Sequence, residues 1–284
     1  VLEGTVRACT QLAFDVVLTT AEKRHLRSGV LTRLSVRSPR PRTTCTRPLH
    51  ALADSVPDTR QRGAPRTAFA AHTFSEVFRL LVSHPRLVGP LTQYFEEDVY
   101  VHQFKLNAKA AFEGDVWQWH QDYGTWARDD GMPEPRAMNI AVFLDEVMPI
   151  NGPLMLIPKS HKQGVFNAGH DLATKSYPLW TLDQETVTRL AHEAEPPGGG
   201  PGIVAPTGKP GSVLMFHGNL VHASPPNITP YPRKIVYVTF CACSNHITKF
   251  TREAWIAHRD FTPIAPVAND ALMDYARAHR IAAE

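Results

Sequence analysis

The spacing of apolar residues is helical before residue 97 and strand-like after it. In FSEVFRLLVSHPRLVGPLTQYF, residues 74–95, apolar positions recur every three and four residues, the period of an amphipathic helix. Pro85 interrupts this run, and proline breaks a helix because it lacks an amide hydrogen and clashes with the preceding turn. The pattern therefore predicts a helical layer over 74–97 that contains two short helices.

Short β-prone runs dominate the next part of the chain. Clusters of Gly, Pro, Asn and Asp separate them, as in antiparallel β-proteins. The runs are DVYVHQFKLNAKA, MNIAVFLDEV, GPLMLIP, GSVLMFHG and RKIVYVTFCACS. We predict one domain that is mainly β with flanking helices, a double-stranded β-helix (jelly roll, cupin-like) with its core over 98–250. A helix around TLDQETVTRLAHEA interrupts the strands, and residues 251–284 form a tail with a C-terminal helix.

Composition changes this picture only at the N-terminus. Residues 1–73 form a basic segment: up to residue 66 there are 12 Lys+Arg against 5 Asp+Glu, although the whole chain carries only +3. Phe14 is the only aromatic residue in residues 1–66, so the stacking platforms of a nucleic-acid-binding surface are missing there. No window approaches the roughly 18 to 20 apolar residues that a membrane helix needs. We therefore predict a cytoplasmic protein that binds neither nucleic acid nor membrane, and leave its oligomeric state open.

Candidate metal chemistry first appears in VWQWHQDYGTW, residues 116–126. His120 and Asp122 are two residues apart, so in a β-strand their side chains would project from the same face. The pair alone is weak, because with 14 histidines in the chain about 0.7 such pairs are expected by chance. A second pair, His258 and Asp260, illustrates this, and we interpret it as structural because too little chain follows to supply a third ligand.

A distal histidine would complete the two-histidine, one-carboxylate triad of non-haem Fe(II) oxygenases. FHGNLVHASPPNITPYPRKIVYV offers His217 and His222. We favour His222, since Ser224 and Arg233 follow it. Arg233 begins a new β-run, which we expect to pair antiparallel beside His222. An arginine there can hold a carboxylate with a two-pronged hydrogen bond, and the serine hydroxyl can add another.

These motifs resemble the phytanoyl-CoA dioxygenase family of Fe(II)/2-oxoglutarate oxygenases, particularly its bacterial ectoine hydroxylase and proline 4-hydroxylase branch. The likeness covers residues 64–265, whereas 1–63 show no convincing match. It is carried by VHQFKLNAKA, WHQDYGTWARDDGMP, NGPLMLIPKSH and LVHASPPNITPYPRK. The resemblance implies Fe(II), 2-oxoglutarate and dioxygen as the reacting partners of a small-molecule substrate. It assigns iron to His120, Asp122 and His222, and 2-oxoglutarate to Arg233 and Ser224, with further contacts from Gln103, Lys105 or Asn107.

The resemblance also implies substrate contacts. It assigns pocket-lining roles to Trp126 and Trp117, although strand alternation places Trp117 on the face opposite His120 unless the strand is irregular at its start. Arg128 resembles the proline 4-hydroxylase version of the motif, and an arginine beside an aromatic wall suits a carboxylate-bearing substrate. The alternative is that Arg128 pairs with a nearby acidic residue: Asp129, Asp130 or Glu134. We expect hydroxylation of a free or N-substituted amino acid, ahead of ectoine and of a fatty acyl-CoA.

Other functions fit less well. A metal-dependent cupin isomerase or hydrolase would share the barrel but would have no use for Ser224 and Arg233. A halogenating relative needs an open position for chloride, which Asp122 fills here. A non-catalytic ligand-binding barrel could lose the triad without penalty. An ectoine-type solute hydroxylase stays open as the nearest alternative.

Overall fold

The computed structural model describes residues 30–32, 55–57, 65–171 and 179–279. The strands, in chain order, are β1 (Val30–Thr32), β2 (Ser55–Pro57), β3 (Pro65–Phe69), β4 (Val99–Lys109), β5 (Trp117–His120), β6 (Ala137–Phe143), β7 (Met155–Leu156), β8 (Gly169–Asp171), β9 (Leu179–Thr181), β10 (Val213–His217), β11 (His222–Ser224) and β12 (Arg233–Ala242). The helices are α1 (Ala71–Phe74), α2 (Glu76–Val82), α3 (Pro85–Phe95), α4 (Asp122–Thr125), α5 (Gln184–Glu193) and α6 (Ala271–Ala278).

Two antiparallel sheets form the core. The large sheet has seven strands in the order β1-β10-β6-β12-β4-β3-β2, and the small sheet has the order β5-β11-β7. Strands β8 and β9 form a separate two-stranded antiparallel sheet. This is the predicted jelly-roll arrangement, and the candidate site lies between its two sheets.

The helical layer covers the outer face of the large sheet. Pro85 is the first residue of α3, where its missing amide hydrogen is harmless, so the chain breaks as predicted between α2 and α3. The apolar residues of these helices pack against outward-facing residues of β4 and β12 and bury the main core. Members of that core include Phe78, Leu81, Leu87, Phe104, Leu106, Val236 and Val238.

Alternation along β4 sends polar residues to the inner face. Phe104 and Leu106 enter the core, so Lys105, Asn107 and Lys109 point the other way, toward the small sheet. Strand β12 pairs with β4 in the register Arg233–Lys109, Ile235–Asn107, Tyr237–Lys105 and Thr239–Gln103. The inner face of this strand pair therefore carries a ladder of polar side chains.

Two pieces of the basic N-terminal segment extend the large sheet. Strand β1 pairs with β10 at one edge, and β2 pairs with β3 at the other. The rest of residues 1–64, for which the sequence predicted no regular elements, lies outside the described residues. Within the described part of the chain, no helix has the length and apolar character needed to cross a membrane.

Candidate active site

Three side chains that could ligate a metal meet beside the small sheet. His120 in β5 lies directly opposite His222 in β11. Asp122 lies between them, with Oδ1 3.6 Å from His120 Nε2 and Oδ2 3.5 Å from His222 Nε2. All three residues are buried, and their ligand atoms lie within 4.8 Å of one another. The structure thus brings together the predicted triad, with His222 as the distal histidine.

Backbone carbonyls fix which ring nitrogen of each histidine is free. His120 Nδ1 is 2.6 Å from Gln118 O, and His222 Nδ1 is 2.9 Å from Leu220 O. Because a carbonyl oxygen can only accept, each Nδ1 carries the hydrogen and each Nε2 presents its lone pair to the centre. Burial lowers the pKa of His222 to about 3, so this imidazole is neutral. Two neutral imidazoles and a carboxylate form the donor set of a facial Fe(II) site.

Asp122 is presented differently from the prediction. Strand β5 ends at His120, Gln121 continues in extended conformation, and Asp122 is the first residue of α4. The carboxylate is oriented by Asn139, whose Nδ2 donates to Oδ2 at 2.8 Å. Thr239 Oγ1 in turn donates to Asn139 Oδ1 at 2.6 Å. Burial alone would raise the pKa of Asp122, but Lys105 and the two histidines hold it well below its usual range.

Arg233 and Ser224 form a second centre in the same pocket. Arg233 is 1% exposed and donates to Gly152 O from Nε at 3.0 Å and from Nη2 at 2.6 Å. Its guanidinium also donates to Asn107 Oδ1 at 3.2 Å and to Ser224 Oγ at 3.1 Å. All of these acceptors are uncharged, because they are carbonyl oxygens and one hydroxyl.

The expected strand pairing around Arg233 was wrong. Strand β11 pairs with β5 and β7, whereas β12 lies in the large sheet between β4 and β6. Arg233 therefore reaches Ser224 across the gap between the sheets. This arrangement encloses the two residues in the barrel interior, which a neighbouring pair on one sheet would not do.

Lys109 is a site residue that the sequence did not reveal. It is 1% exposed, is the cross-strand partner of Arg233, and donates from Nζ to Ser224 Oγ at 2.6 Å and to Pro225 O. The available signal was its alternation with Lys105 and Asn107 along one strand. A lysine near a strand end usually lies in solvent, which hid this signal.

Of the remaining predicted cosubstrate residues, two line the pocket and one does not. Lys105 and Asn107 line the pocket, whereas Gln103 donates from Nε2 to Ile256 O at 3.0 Å and does not line it. The pocket is also lined by residues that the sequence analysis did not single out. These are Leu154, Phe216, Ala223 and Tyr237.

Of the predicted substrate residues, only Trp117 lines the pocket. Between His222 and Ser224, β11 advances two residues while β5 advances three, from His120 to Trp117. This bulge turns Trp117 onto the same face as His120, whereas Trp119 packs outside with Phe166. The strand is thus irregular at its start, the condition under which Trp117 could reach the pocket.

Trp126 and Arg128 lie elsewhere, contrary to prediction. Trp126 is 1% exposed in a separate apolar cluster, with its ring edge-on to His102 at 5.1 Å. Arg128 donates to Gly124 O at 2.8 Å and to Phe166 O at 2.9 Å, and lies over the Trp180 ring. The acidic neighbours proposed as alternative partners of Arg128 are engaged in other contacts. Asp129 accepts from Trp180, Asp130 pairs with Arg252, and the Glu134 amide donates to Asn245.

The two other histidine candidates have structural contacts. His217 Nδ1 accepts from the Asn219 amide at 3.1 Å, and burial lowers the pKa of His217 to about 3. His258 is held by Ala254 O and packs edge-on against His72. Among the described residues, the only cluster suited to a metal is the triad.

Comparison with known proteins agrees with this geometry. The family model described as phytanoyl-CoA dioxygenase (PhyH) matches residues 35–235. The match covers the strands that carry the triad and Arg233. The chain belongs to the phytanoyl-CoA dioxygenase family.

Relatives of this chain include ectoine dioxygenases and a proline hydroxylase. The chain is 39% identical over 203 residues to the ectoine dioxygenase of Sphingopyxis alaskensis, covering 69% of this chain and 64% of that protein. It therefore spans less than two thirds of that relative. It is 36% identical over 219 residues to the L-proline trans-4-hydroxylase of Streptomyces griseoviridis, covering 74% and 79%. EctD from S. alaskensis, crystallised with 2-oxoglutarate and 5-hydroxyectoine, superposes with a TM-score of 0.71 at 29% identity, covering 91% of this chain and 92% of that one.

Proposed function

We propose that this chain is an Fe(II)- and 2-oxoglutarate-dependent dioxygenase that hydroxylates a small carboxylate-bearing substrate, a free or N-substituted amino acid. The observation that carries the proposal is that the triad and the Arg233–Ser224 pair line one pocket, with Lys109 bonded to Ser224 behind it. A metal site alone would fit other cupin-like enzymes. The second, cationic centre suits a cosubstrate with a distal carboxylate.

Each end of the pocket has a defined task. His120, Asp122 and His222 would hold Fe(II), which supplies activation of dioxygen when bound. Arg233 would turn its guanidinium from Gly152 O to the distal carboxylate of 2-oxoglutarate, exchanging a neutral acceptor for a charged one. Charge-assisted hydrogen bonds of this kind are shorter and stronger than neutral ones.

Lys109 would assist at the same carboxylate. The Ser224 hydroxyl donates to Gly152 O at 3.1 Å and accepts from Lys109 and Arg233. A carboxylate that displaces Gly152 O would find the Ser224 hydrogen already aimed at it. Two buried cations behind one hydroxyl favour a dianionic cosubstrate over a neutral one.

With Arg128 outside the pocket, we assign recognition of the substrate carboxylate to Lys105. Lys105 lies four residues from Lys109 along β4, about 14 Å at ~3.4 Å per residue, and the Asp122 carboxylate is the opposite charge that acts on it. It therefore faces the metal end of the pocket. A substrate carboxylate bound there would place neighbouring C–H bonds near the triad, while Phe216 and Trp117 would contact the apolar body.

A substrate panel tests the function. Purified protein with Fe(II) and 2-oxoglutarate would be offered proline, pipecolate, leucine, N-acyl amino acids, ectoine and phytanoyl-CoA. Succinate and product mass would be measured together. We expect succinate formation coupled to a gain of one oxygen atom in an amino acid. Oxygen gain by ectoine alone would move the assignment to an ectoine-type hydroxylase, and turnover without 2-oxoglutarate would support a cupin isomerase or hydrolase.

Lys105→Met separates the substrate role from a cosubstrate role. We expect the KM for the amino acid to rise about tenfold or more with little change in the KM for 2-oxoglutarate, because a charge-assisted hydrogen bond contributes roughly 1.5–3 kcal/mol. Lys234→Met is the matched control, since Lys234 pairs with Asp145 in the neighbouring loop. A rise confined to the 2-oxoglutarate KM would instead place Lys105 at the cosubstrate, as the family resemblance implied.

A further inference from the structure

Gln121 lies between two metal ligands in sequence, but its side chain points away from the metal. It is 3% exposed, and its Nε2 donates to Asn219 O at 2.9 Å, to Asn219 Oδ1 at 3.0 Å and to Gly164 O at 2.9 Å. Its Oε1 accepts from the Phe166 amide at 2.9 Å. This one side chain therefore bonds both to the segment that leads into His222 and to the loop Gly164–Phe166.

Asn219 makes the reciprocal contacts from the turn between β10 and β11. It lies three residues before His222 and is 1% exposed. Its Nδ2 donates to Gly164 O at 2.9 Å and to His161 O at 3.2 Å. The two amides thus share one acceptor, Gly164 O, and hold the same loop from two sides.

The loop has further links to both ligand-bearing segments. Arg128, in the helical turn after Asp122, donates to Phe166 O at 2.9 Å. Just before the loop, Ser160 Oγ accepts from the Val221 amide at 2.9 Å, next to His222. None of these groups lines the pocket, yet each bond has at least one end in the loop or within three residues of a proposed metal ligand.

We infer that Gln121 and Asn219 act as an amide clamp that sets the geometry of the metal ligands and couples it to the position of the loop Gly164–Phe166. They are positioning residues, since neither touches the metal centre. Moving one ligand-bearing segment relative to the other would leave buried amides and carbonyls without partners, which costs about 1–3 kcal/mol for each group. Moving the loop would remove the acceptor that both amides share.

The inference rests on the metal site proposed above, and Co(II) titration of the protein without cosubstrate tests it apart from turnover. Gln121→Met keeps the side-chain length and removes every hydrogen bond, so we expect the Co(II) Kd to rise about tenfold, at the lower end of the 10- to 100-fold loss typical of groups that orient metal ligands. Gln184→Met is the matched control, because Gln184 is exposed at the start of α5 and lies outside the metal site. If wild-type protein binds no Co(II), the proposed function fails. If wild type binds and the Gln121→Met Kd stays within twofold of the control, the clamp fails, even when the metal-free protein melts at a lower temperature.

A double-mutant cycle tests whether the two amides act as one unit. Asn219→Leu alone should also raise the Co(II) Kd about tenfold, and Gln121→Met with Asn219→Leu should raise it little more than either change alone. Multiplied effects would show two independent contributions and would overturn the clamp. Should either variant fail to fold, Gln121→Glu and Asn219→Asp keep one acceptor each and provide the same cycle.

Coupling to the loop has its own test. Gly164 has φ +80°, a conformation that alanine adopts only with strain, although no atom lies within 4 Å of an added Cβ. Gly164→Ala should therefore displace the shared carbonyl and weaken Co(II) binding several-fold. Gly169→Ala is the control, because Gly169 has equal space and no positive φ. Equal Co(II) affinity in the two variants would show that the position of the loop does not affect metal binding.

Discussion

The chain contains the same two-residue motif in two places, and among the described residues only one of them meets a third side chain that could ligate a metal. At His120 and Asp122, both side chains are buried and His222 faces them from the next strand. At His258 and Asp260, the histidine is buried against His72, while the exposed aspartate accepts from the Thr262 amide at 3.0 Å in a turn. The difference lies in the surroundings: a ligand site needs a third donor opposite and polar groups that keep the carboxylate ionised and oriented.

The largest expected difference in turnover is between variants in which each of the two aspartates is replaced by alanine. Asp122→Ala removes a ligand and the carboxylate that compensates Lys105, so we expect loss of iron-dependent turnover by at least about 100-fold. Asp260→Ala removes one exposed turn contact, and turnover should stay within twofold of wild type. Succinate formation at saturating Fe(II) measures both. Substantial loss in Asp260→Ala would mean that the second pair takes part in catalysis.

The distal histidines give a second contrast of nearly equal size. His222→Ala should abolish Co(II) binding and turnover, because Nε2 of His222 supplies the third ligand. His217→Asn should preserve both, since its Oδ1 can replace Nδ1 as the acceptor for the Asn219 amide. Binding is measured by the Co(II) absorption spectrum. The reverse pattern would transfer the ligand role to His217.

Much of this site could be predicted because its chemistry follows strand alternation and short spacing. His120, Asp122, His222, Ser224 and Arg233 all lie within two segments. What escaped prediction depends on pairing between distant strands. The bulge that turns Trp117 into the pocket is one such feature: resemblance assigned Trp117 there, but strand alternation did not, and no local pattern marks the bulge. Sheet membership of β12 decides that Arg233 approaches Ser224 from across the barrel.

The supporting residues were harder still to predict. Asn139 orients Asp122 from a strand 17 residues away in sequence, and in the sequence it reads as an ordinary polar residue in an apolar run. In the sequence, Lys109 looks like a solvent-exposed residue at the end of a strand. Trp126 and Arg128 were assigned by resemblance, but the turn of α4 directs them away from the pocket. The fold class could be predicted from the spacing of apolar residues and the order of the elements. The roles of these residues depend on how distant strands pair in three dimensions.

The cosubstrate end should respond in a different kinetic parameter. Arg233→Ala should raise the KM for 2-oxoglutarate about 10- to 100-fold, because it removes a charge-assisted hydrogen-bond donor rather than a metal ligand. Lys109→Met should raise it less, by several-fold, since Lys109 acts through Ser224. The Co(II) Kd should stay near the wild-type value in both variants. An unchanged 2-oxoglutarate KM in Arg233→Ala would show that another cation holds the carboxylate.

The Thr239 hydroxyl donates to the Asn139 side-chain oxygen, and the Asn139 side-chain nitrogen donates to Asp122. Asn139→Leu should weaken Co(II) binding by about tenfold, as expected when a group that orients a metal ligand is removed. Thr239→Val keeps the shape and removes one hydroxyl, so its effect should be smaller. If both variants bind Co(II) like wild type, Lys105 and the two histidines suffice to orient the carboxylate.

The smallest expected effect concerns the pair His258 and Asp260, and it is a change in the free energy of unfolding at acid pH. Burial lowers the pKa of His258 to about 3 and that of its neighbour His72 to about 4, both below the ordinary value of 6.5. Around them lie Arg79 and Asp260, whose charges act in opposite directions, and buried His102.

As the pH falls below 6.5, the unfolded chain binds protons that the folded chain does not bind, so the free energy of unfolding should fall by up to about 1.4 kcal/mol per pH unit for each histidine. His258→Gln should remove one such contribution and flatten the fall between pH 6.5 and pH 5, measured by urea unfolding of metal-free protein, with exposed His192→Gln as the control. An equally steep fall in both variants would show that His258 is protonated in the folded chain, and the second pair would then have to be reconsidered as an ionised site.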